Sequence, residues 1–308
     1  MSAAPGGDGT VTWRQVGEQA RETLARHGRT EAALDVRRMI EQATGVEPTE
    51  YLDVLDQPAT VRTLAHFDAM VERRATGEPL QYVLGRWAFR HLDLLVDRRV
   101  LIPRPETETV VDIALREIDR LVDTYRYHYE QRLPVVDLGT GSGAIALAVA
   151  TERTSTDVWG TDVSDGAVAV ARANLAGAGR AAARVALRTG SWFEALPAEL
   201  AGTIGVIISN PPYVAEADEL PDEVERWEPA MALRSGPDGL DAARVLIGTA
   251  GRWLRPDGAL VVELAPGQLA TAAELAVEAG FSMVEVHRDL AGRQRCLVAR
   301  CAPGTPPP

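Results

Sequence analysis

From Pro134 onward, short apolar runs and helical patterns alternate along the chain, and this alternation limits the fold more than any other feature. Residues 135–138, 158–162, 185–188, 203–209 and 259–264 predict strands, and residues 144–151, 166–178 and 268–279 predict helices. Residues 284–289 and 295–300 predict a final pair of strands, for which an antiparallel arrangement is open. Alternating strands and helices form a mostly parallel sheet with helices on both faces. The sequence therefore predicts an α/β domain with a Rossmann-like sheet.

The chain before this region has a helical pattern. Val16, Ala20 and Leu24 repeat at helical spacing, and Gly28 and Gly45 are typical of residues that follow helix ends. A third helix is predicted at 61–74. Residues 12–82 therefore predict an N-terminal helical domain, and this domain carries no catalytic signature of its own.

The remaining boundaries follow from the same patterns. Residues 83–102 predict a hairpin linker with strands at 84–89 and 92–96, and residues 103–302 predict the second domain. Residues 1–11 and 303–308 are expected to be disordered tails. Residues 116–132 include Tyr125, Tyr127 and Tyr129, and we interpret them as a helix end followed by an irregular insertion.

Charge and cysteine content restrict the environment and the partners. The formal net charge is −12, which gives no general attraction to phosphate backbones and argues against nucleic acid as a direct substrate. The two cysteines, Cys296 and Cys301, fit no metal spacing and are typical of a reducing compartment. No segment approaches the roughly 18 consecutive apolar residues of a membrane span, and the start lacks a signal-peptide pattern. A cytoplasmic protein without metal or membrane association is expected.

A glycine-rich loop stands between the first predicted strand of the α/β region and the following helix. Its sequence is Asp137-Leu138-Gly139-Thr140-Gly141-Ser142-Gly143, and such loops approach ligands closely at the carboxyl edge of a sheet. Gly139, Gly141 and Ala144 also satisfy the pattern G-x-G-x-x-A, which leaves a nicotinamide oxidoreductase open. Asp162, at the next strand end, suits ribose hydroxyls with either cofactor. Asp137 suits the ammonium end of S-adenosylmethionine, and the five histidines form no acid–base cluster for hydride chemistry.

The tetrapeptide Asn210-Pro211-Pro212-Tyr213 follows a predicted apolar strand. The prolines stiffen this corner, because their φ angles are fixed and the residue before a proline is held extended. The Asn210 side-chain oxygen and the Pro211 carbonyl can each accept one hydrogen of a planar NH2 group, while Tyr213 packs against its face. The corner therefore predicts a binding site for a nitrogen that accepts a methyl group, next to the glycine loop.

Four motifs together resemble the HemK-like protein-(glutamine-N5) methyltransferases, which modify peptide chain release factors. They are residues 77–82 (GEPLQY), 102–108 (IPRPETE), 137–143 (DLGTGSG) and 210–213 (NPPY), in that order. The last motif also occurs in adenine-N6 DNA methyltransferases, whereas the second is far more specific. The resemblance covers residues from about 12 to about 300 and implies a helical bundle that helps to dock the release factor, a hairpin linker and a Rossmann-like domain with a seven-stranded sheet.

The resemblance also implies an activity and its residues. The activity is methyl transfer from S-adenosylmethionine to the amide nitrogen of the glutamine in the GGQ motif of release factors. The expected cofactor residues are Asp137, Gly139, Thr140, Gly141, Gly143, Asp162, Trp192 and Asn210. The expected catalytic residues are Asn210, Pro211 and Tyr213, and substrate binding is expected from these together with Pro212, Pro103, Arg104, Pro105 and Glu106.

The sequence departs from the family pattern at Ser191, Gly205 and Gln294. These departures and the tyrosine-containing insertion leave open a paralogue that methylates a small molecule or adenine. A separate alternative is a non-catalytic partner of the translation machinery that uses the helical domain as a docking module. Two charged residues have alternative interpretations without the resemblance. Arg104 suits a surface ion pair with Glu106 or Glu108. Glu263 suits either a neighbour of the cofactor at a strand end or a solvated carboxylate, and we favour the second interpretation.

Overall fold

The computed structural model describes residues 11–127 and 131–304. The chain divides into two compact units. One consists of the described residues up to Arg86 together with Pro221–Trp227, and the other of Trp87–Leu220 and the described residues from Glu228. The helical unit thus includes Pro221–Trp227, which lie within the range 103–302 predicted for the second domain.

The first unit is built from helices. They are α1 (Trp13–Arg26), α2 (Ala32–Thr44), α3 (Tyr51–Val54), α4 (Val61–Ala75) and α5 (Leu80–Leu84), joined by the later α9 (Asp222–Trp227). Helix α1 begins where Thr12 and Gln15 form a reciprocal capping box, and α2 ends at Gly45 in the left-handed conformation. In the core of this unit, the rings of Trp13 and Phe67 pack edge to face, with ring centroids 5.6 Å apart.

A buried ion cluster ties α9 to this unit. The guanidinium of Arg74, which is 8 % exposed, lies 2.7 Å from an oxygen of Asp35 and 3.2 Å from an oxygen of Glu223. The Arg74–Asp35 pair is buried, whereas the Glu223 side chain is 36 % exposed, so α9 is connected to this cluster through a partly exposed ion pair. The acidic α9 is therefore part of the helical unit although it follows the Asn210 corner in sequence.

A hairpin of β1 (Arg86–Phe89) and β2 (Leu92–Leu95) follows, and the second unit begins at Trp87 within β1. The predicted linker and its first strand began too early, because α5 continues to Leu84. The sheet of the second unit contains β3 (Leu133–Leu138), β4 (Thr156–Asp162), β5 (Val185–Thr189), β6 (Ile204–Ser209), β7 (Leu254–Glu263), β8 (Met283–Arg288) and β9 (Gln294–Arg300). The helices are α6 (Pro105–Tyr125), α7 (Ala144–Glu152), α8 (Asp165–Gly177), α10 (Asp241–Ala250) and α11 (Leu269–Glu278).

The order of strands across the sheet positions the site. The order is β5-β4-β3-β6-β7-β9-β8, with β3 to β7 parallel and β8 and β9 joined antiparallel at one edge. The chain moves outward from β3 to β5 and then returns to β6 beside β3. The helical connections therefore leave the sheet on opposite faces at this point, and a crevice opens at the carboxyl ends of β3 and β6. The glycine loop follows β3 and the Asn210 corner follows β6, so both border this crevice.

The predicted strands of the α/β region and the antiparallel final pair are present, with β7 beginning earlier than predicted. One departure from the family pattern has a packing reason. A Cβ on Gly205 would lie 2.4 Å from Leu133 Cδ1, so the neighbouring leucine fills the space of a side chain.

The insertion after α6 is described only in part. Arg126 ends the helix in the left-handed conformation, and the guanidinium of Arg255 lies 3.7 Å from the ring centre of Tyr125 and 5.5 Å from that of Tyr127. Tyr129 lies outside the described residues. Across residues 11–127 and 131–304, no helix is both long and apolar enough to cross a bilayer.

Candidate functional site

The glycine loop turns tightly at the end of β3. Gly139 and Gly143 have φ angles of 75° and 84°, which side chains with a Cβ rarely adopt. A Cβ on Gly139 would lie 3.4 Å from the ring of Trp192, so glycine leaves the space next to this ring open. The backbone N–H groups of Gly139 and Thr140 donate to the carbonyl of Thr161 on β4, at 2.8 and 2.9 Å. The loop is thus held to two neighbouring strands.

Asp137 anchors this loop from below. One carboxylate oxygen accepts hydrogen bonds from Thr140 Oγ1 at 2.6 Å and from the N–H of Ala146 at 3.1 Å. The other oxygen is buried and has no hydrogen-bond partner among the described residues. Burial raises the pKa of Asp137 to about 7. Asp137 has no exposed surface, so its direct structural role is to fix the loop and the start of α7.

Asp162 ends β4 and faces the same crevice. Its two carboxylate oxygens accept from the N–H groups of Gly141 and Ser164, both at 2.9 Å. Burial raises the pKa of this carboxyl, although the two backbone donors favour its charged form. The arrangement leaves further lone pairs on a fixed carboxylate, which suits a diol such as a ribose.

A cavity of about 440 Å³ occupies the crevice. Of the predicted site residues, it is lined by Pro103, Gly139, Thr140, Gly141, Asp162, Trp192, Asn210 and Pro212. Asp137, Gly143, Arg104, Pro105, Glu106, Pro211 and Tyr213 are not among the lining residues. Ser191, one of the departures from the family pattern, does line the cavity. The structure therefore brings both halves of the predicted site, the loop and the acceptor corner, to one cavity.

The acceptor corner is held by its backbone. The N–H of Tyr213 donates to the carbonyl of Leu233 at 3.1 Å, and the carbonyl of Tyr213 accepts from Gln268 Nε2 at 2.8 Å. The ring of Tyr213 packs against the buried core under the sheet, and burial raises the pKa of its hydroxyl. Gly239 allows a close approach here, because a Cβ at this position would lie 2.2 Å from the Tyr213 carbonyl oxygen.

Asn210 presents a free acceptor at this corner. Its Nδ2 donates to Thr107 Oγ1 at 3.1 Å, whereas its Oδ1 is buried and has no partner among the described residues. An unpaired buried oxygen costs free energy, about 1–3 kcal/mol, unless a ligand satisfies it. Because Asn210 lines the cavity, a ligand NH2 group placed there would supply the missing hydrogen.

The segment before α6 borders the cavity through Arg99, Val100, Leu101 and Pro103, whereas Arg104 is not a lining residue and forms an ion pair instead. Arg104 forms an ion pair with Glu228, not with Glu106 or Glu108. Glu228 also accepts from the N–H of Ile102 at 3.1 Å and is 6 % exposed. Glu106 instead pairs with Arg293 at 2.9 Å, and Pro105 is the first residue of α6. Arg104 therefore shapes the wall of the cavity through a buried carboxylate.

Three residues near the corner had no assigned role from sequence. Thr107 is inside the second motif and lines the cavity, and Glu228 follows α9. The interpretation of Glu263 as a solvated carboxylate is wrong, since it is 1 % exposed and accepts from Thr107 Oγ1 at 2.7 Å. The acidic residue at the end of a buried strand was the available signal, because such a position faces the carboxyl edge of the sheet.

The residues present fit S-adenosylmethionine. The unpaired oxygen of Asp137 matches a cationic ammonium group, and the carboxylate of Asp162 matches ribose hydroxyls. The space that Gly139 leaves beside Trp192 matches a flat base. The ammonium match is an electrostatic one from beneath the loop, because Asp137 is fully buried.

Comparison with known proteins agrees with this picture. The PrmC N-terminal domain model matches residues 15–85, and the methyltransferase small domain model matches residues 119–227. The catalytic domain of hMettl16, solved in complex with MAT2A 3'UTR hairpin 6, has a TM-score of 0.50 and 14 % identity, and covers 79 % of this chain and 82 % of that chain. This likeness concerns the fold alone. The predicted class I methyltransferase domain with an N-terminal helical domain is confirmed.

Curated relatives are more similar to this chain in sequence than the hMettl16 catalytic domain is. Release factor glutamine methyltransferase of Xylella fastidiosa (strain 9a5c) is 44 % identical over 247 residues, which cover 80 % of this chain and 85 % of the relative. The protein of the same name from Agrobacterium fabrum is 34 % identical, covering 96 % of this chain and 99 % of the relative. This similarity excludes the nicotinamide oxidoreductase alternative. Because the identity extends over nearly the whole sequence, the chain belongs to the release factor glutamine methyltransferase family.

Proposed function

We propose that this protein transfers a methyl group from S-adenosylmethionine to the side-chain amide nitrogen (N5) of the glutamine in the GGQ motif of peptide chain release factors. The observation that carries the proposal is that Asn210 lines the same cavity as the glycine loop and that its Oδ1 has no hydrogen-bond partner among the described residues. An NH2 group is the ligand that this oxygen lacks. A cytoplasmic location, where the protein substrate is made and used, is part of the proposal.

The reaction depends mainly on how the glutamine nitrogen is aligned with the methyl group. A glutamine nitrogen is a poor nucleophile, because its lone pair is delocalised into the carbonyl. S-adenosylmethionine supplies a methyl group that is already activated by its sulfonium. Holding reacting atoms roughly 3 to 3.5 Å apart in the correct direction removes much of the barrier.

Asn210 and Pro211 perform this alignment. Asn210 Oδ1 accepts one hydrogen of the substrate amide, and we assign the other to the carbonyl of Pro211, whose neighbours Asn210 and Pro212 both line the cavity. Both acceptors favour positive charge on the nitrogen as its bond to carbon forms, and neither has to reorganise. Tyr213 keeps the corner in place through its buried ring and its two backbone hydrogen bonds. The proton can leave after transfer, so the site needs no strong base.

The remaining residues hold the cofactor and shape access. Gly139, Thr140 and Gly141 give the loop its close approach, and Asp162 takes the ribose. Gly143 starts α7, where a Cβ would lie 3.3 Å from Ala171 Cβ, so this glycine permits close packing of the loop on α8.

On the substrate side, Pro103 and Pro212 line the cavity. Arg104, Pro105 and Glu106 support that wall from outside through their ion pairs and the helix start. A flexible peptide loop that carries a glutamine is the substrate expected to place its side chain in this cavity.

The test is methyl transfer from labelled S-adenosylmethionine to a purified release factor. A matched release factor in which the GGQ glutamine is replaced by alanine is the control. We expect label on the first protein and none on the second. Equal labelling of both proteins, or no labelling of either by a protein that binds S-adenosylhomocysteine, would refute the proposal. The second result would favour a paralogue that acts on a small molecule or adenine.

A further inference from the structure

A short chain of hydrogen bonds connects Asn210 to a buried carboxylate. Asn210 Nδ2 donates to Thr107 Oγ1 at 3.1 Å, and Thr107 Oγ1 donates to Glu263 Oε2 at 2.7 Å. The three residues come from different elements, since Asn210 follows β6, Thr107 is in the first turn of α6 and Glu263 ends β7. Thr107 and Glu263 are 3 % and 1 % exposed, so solvent does not compete for these bonds.

The number of hydrogens decides the direction of each bond. An ionised carboxylate can only accept, and a threonine hydroxyl has one hydrogen to donate. Thr107 gives this hydrogen to Glu263, so toward Asn210 it offers only a lone pair. The NH2 side of the Asn210 amide must therefore face Thr107. In the flipped orientation, Oδ1 would face the Thr107 oxygen without a hydrogen between them.

The same count of hydrogens explains why Asn210 Oδ1 is unpaired. With the NH2 side of Asn210 held against Thr107, Oδ1 is turned away and remains buried without a partner among the described residues. Asn210 and Thr107 both line the cavity. A buried amide that is free to rotate would exchange its oxygen and nitrogen to reduce this cost, and the Thr107–Glu263 bond prevents the exchange.

We propose that Thr107 and Glu263 are positioning residues for methyl transfer, which hold the Asn210 amide in the one orientation that accepts a hydrogen from the substrate nitrogen. The inference rests on the proposed function of Asn210 and adds the residues that impose its orientation.

This orientation also selects the substrate. A glutamine side chain brings two N–H hydrogens to an acceptor that lacks one. A glutamate carboxylate brings only acceptors, which would face Oδ1 without a hydrogen and remain unpaired. Sites that hydrogen-bond a substrate group reject analogues that lack it, because buried polar groups of the site are then left without partners.

The charge of Glu263 controls the direction of the chain. Burial raises its pKa to about 7, while Thr107, Arg295 and Arg104 favour the ionised form and Glu106 opposes it. Among the described residues, Tyr213 and Cys296 also interact electrostatically with Glu263. When Glu263 binds a proton, it can donate to Thr107, whose hydrogen is then free to turn toward Asn210. The orientation is therefore enforced above this pKa and released below it.

The kinetic experiment compares Thr107→Val, Thr107→Ser and Glu263→Gln in the full-length protein. Thr107→Val keeps the shape and removes the hydroxyl, so we expect kcat on the release factor to fall by roughly tenfold to a hundredfold, as for small misplacements of reacting groups. Affinity for S-adenosylhomocysteine should be unchanged. Thr107→Ser restores the hydroxyl and should return kcat to within about threefold of wild type, on the same argument. We expect wild-type activity to fall below about pH 7, and Glu263→Gln should lose the part of this fall that comes from Glu263.

A second experiment observes the amide without turnover. The chain contains two asparagines, Asn174 and Asn210, so selective 15N labelling gives two side-chain NH2 signals. Asn174 is an internal reference, because its Nδ2 donates to the carbonyls of Ser142 and Leu95 at 2.8 and 3.0 Å. In the wild type, we expect the Asn210 signals to shift as the pH passes about 7 while the Asn174 signals stay in place. Glu263→Gln should abolish this shift, and Thr107→Val should displace the Asn210 signals at every pH.

The two arms separate the possible failures. Wild-type protein that leaves the release factor unmethylated refutes the proposed function. A Thr107→Val enzyme with wild-type kcat, or with Asn210 signals at their wild-type positions, overturns the positioning role. A loss of kcat in Thr107→Val that Thr107→Ser does not restore also overturns it, since the hydroxyl would then not be the required group.

Discussion

Replacing Asn210 by alanine should separate activity from stability. The substitution removes the free Oδ1 and the single hydrogen bond from Nδ2 to Thr107. A neutral hydrogen bond contributes about 0.5–1.5 kcal/mol to folding, and removal of the buried unpaired oxygen offsets part of this. We therefore expect the free energy of unfolding to change by no more than about 1 kcal/mol. Loss of a comparable fixed hydrogen-bonding group at a reacting centre lowers kcat by roughly 10²- to 10³-fold.

The assay measures kcat on a release factor, affinity for S-adenosylhomocysteine and the denaturant midpoint of the same preparation. Asn174→Ala is the matched stability control, since it removes three hydrogen bonds, from Leu95 N–H and to the carbonyls of Leu95 and Ser142. It should destabilise the protein more than Asn210→Ala and lower kcat much less. An Asn210→Ala enzyme within tenfold of wild-type kcat would refute the role of Oδ1, as would a loss of activity explained by unfolding.

Two further predictions concern stability. Gly239→Ala, at a φ of 75°, places a Cβ 2.2 Å from the Tyr213 carbonyl oxygen and should lower both melting temperature and kcat. Gly280→Ala, at a φ of 89° with open space around it, should show only the backbone cost of about 1–2 kcal/mol; equal melting temperatures for the two variants would contradict this reasoning. Burial raises the pKa of Asp137 and of Glu263 to about 7. Between about pH 4.5 and 7, the folded protein therefore binds more protons than the unfolded chain. The free energy of unfolding consequently falls as the pH rises through this range. Thermal melts should show a falling midpoint up to about pH 7 that flattens in the Asp137→Asn, Glu263→Gln double variant, and a midpoint that rises over this range in the wild type would be inconsistent with these pKa values.

The fold could be predicted where the sequence pattern is local. Continuous apolar runs such as those before Asp137 and Asn210 are typical of buried parallel strands, and glycine loops mark their ends. The membership of α9 in the helical unit could not be predicted in this way. It depends on the pairing of Glu223 with Arg74, which lies 149 residues earlier in the chain. A short acidic segment has no local signal for such a distant partner.

The candidate site was predicted in outline because its two motifs occur at the ends of neighbouring strands. What the sequence did not reveal is how the side chains are oriented. Glu263 reads as an ordinary charged residue in the sequence, and only the three-dimensional structure shows it buried against Thr107. The ion pair of Arg104 with Glu228, instead of with its sequence neighbours, has the same origin. Partners of this kind are set by tertiary packing, and no local pattern encodes them.

The most direct measurement of the central claim is fragment-ion mass spectrometry of a release factor incubated with S-adenosylmethionine and this protein. Parallel reactions contain the wild type and the Asn210→Ala variant. The account predicts one added methyl group on the GGQ glutamine side chain with the wild type, and little or none with the variant in the same time. Methylation at another residue, or equal methylation by both proteins, would contradict it.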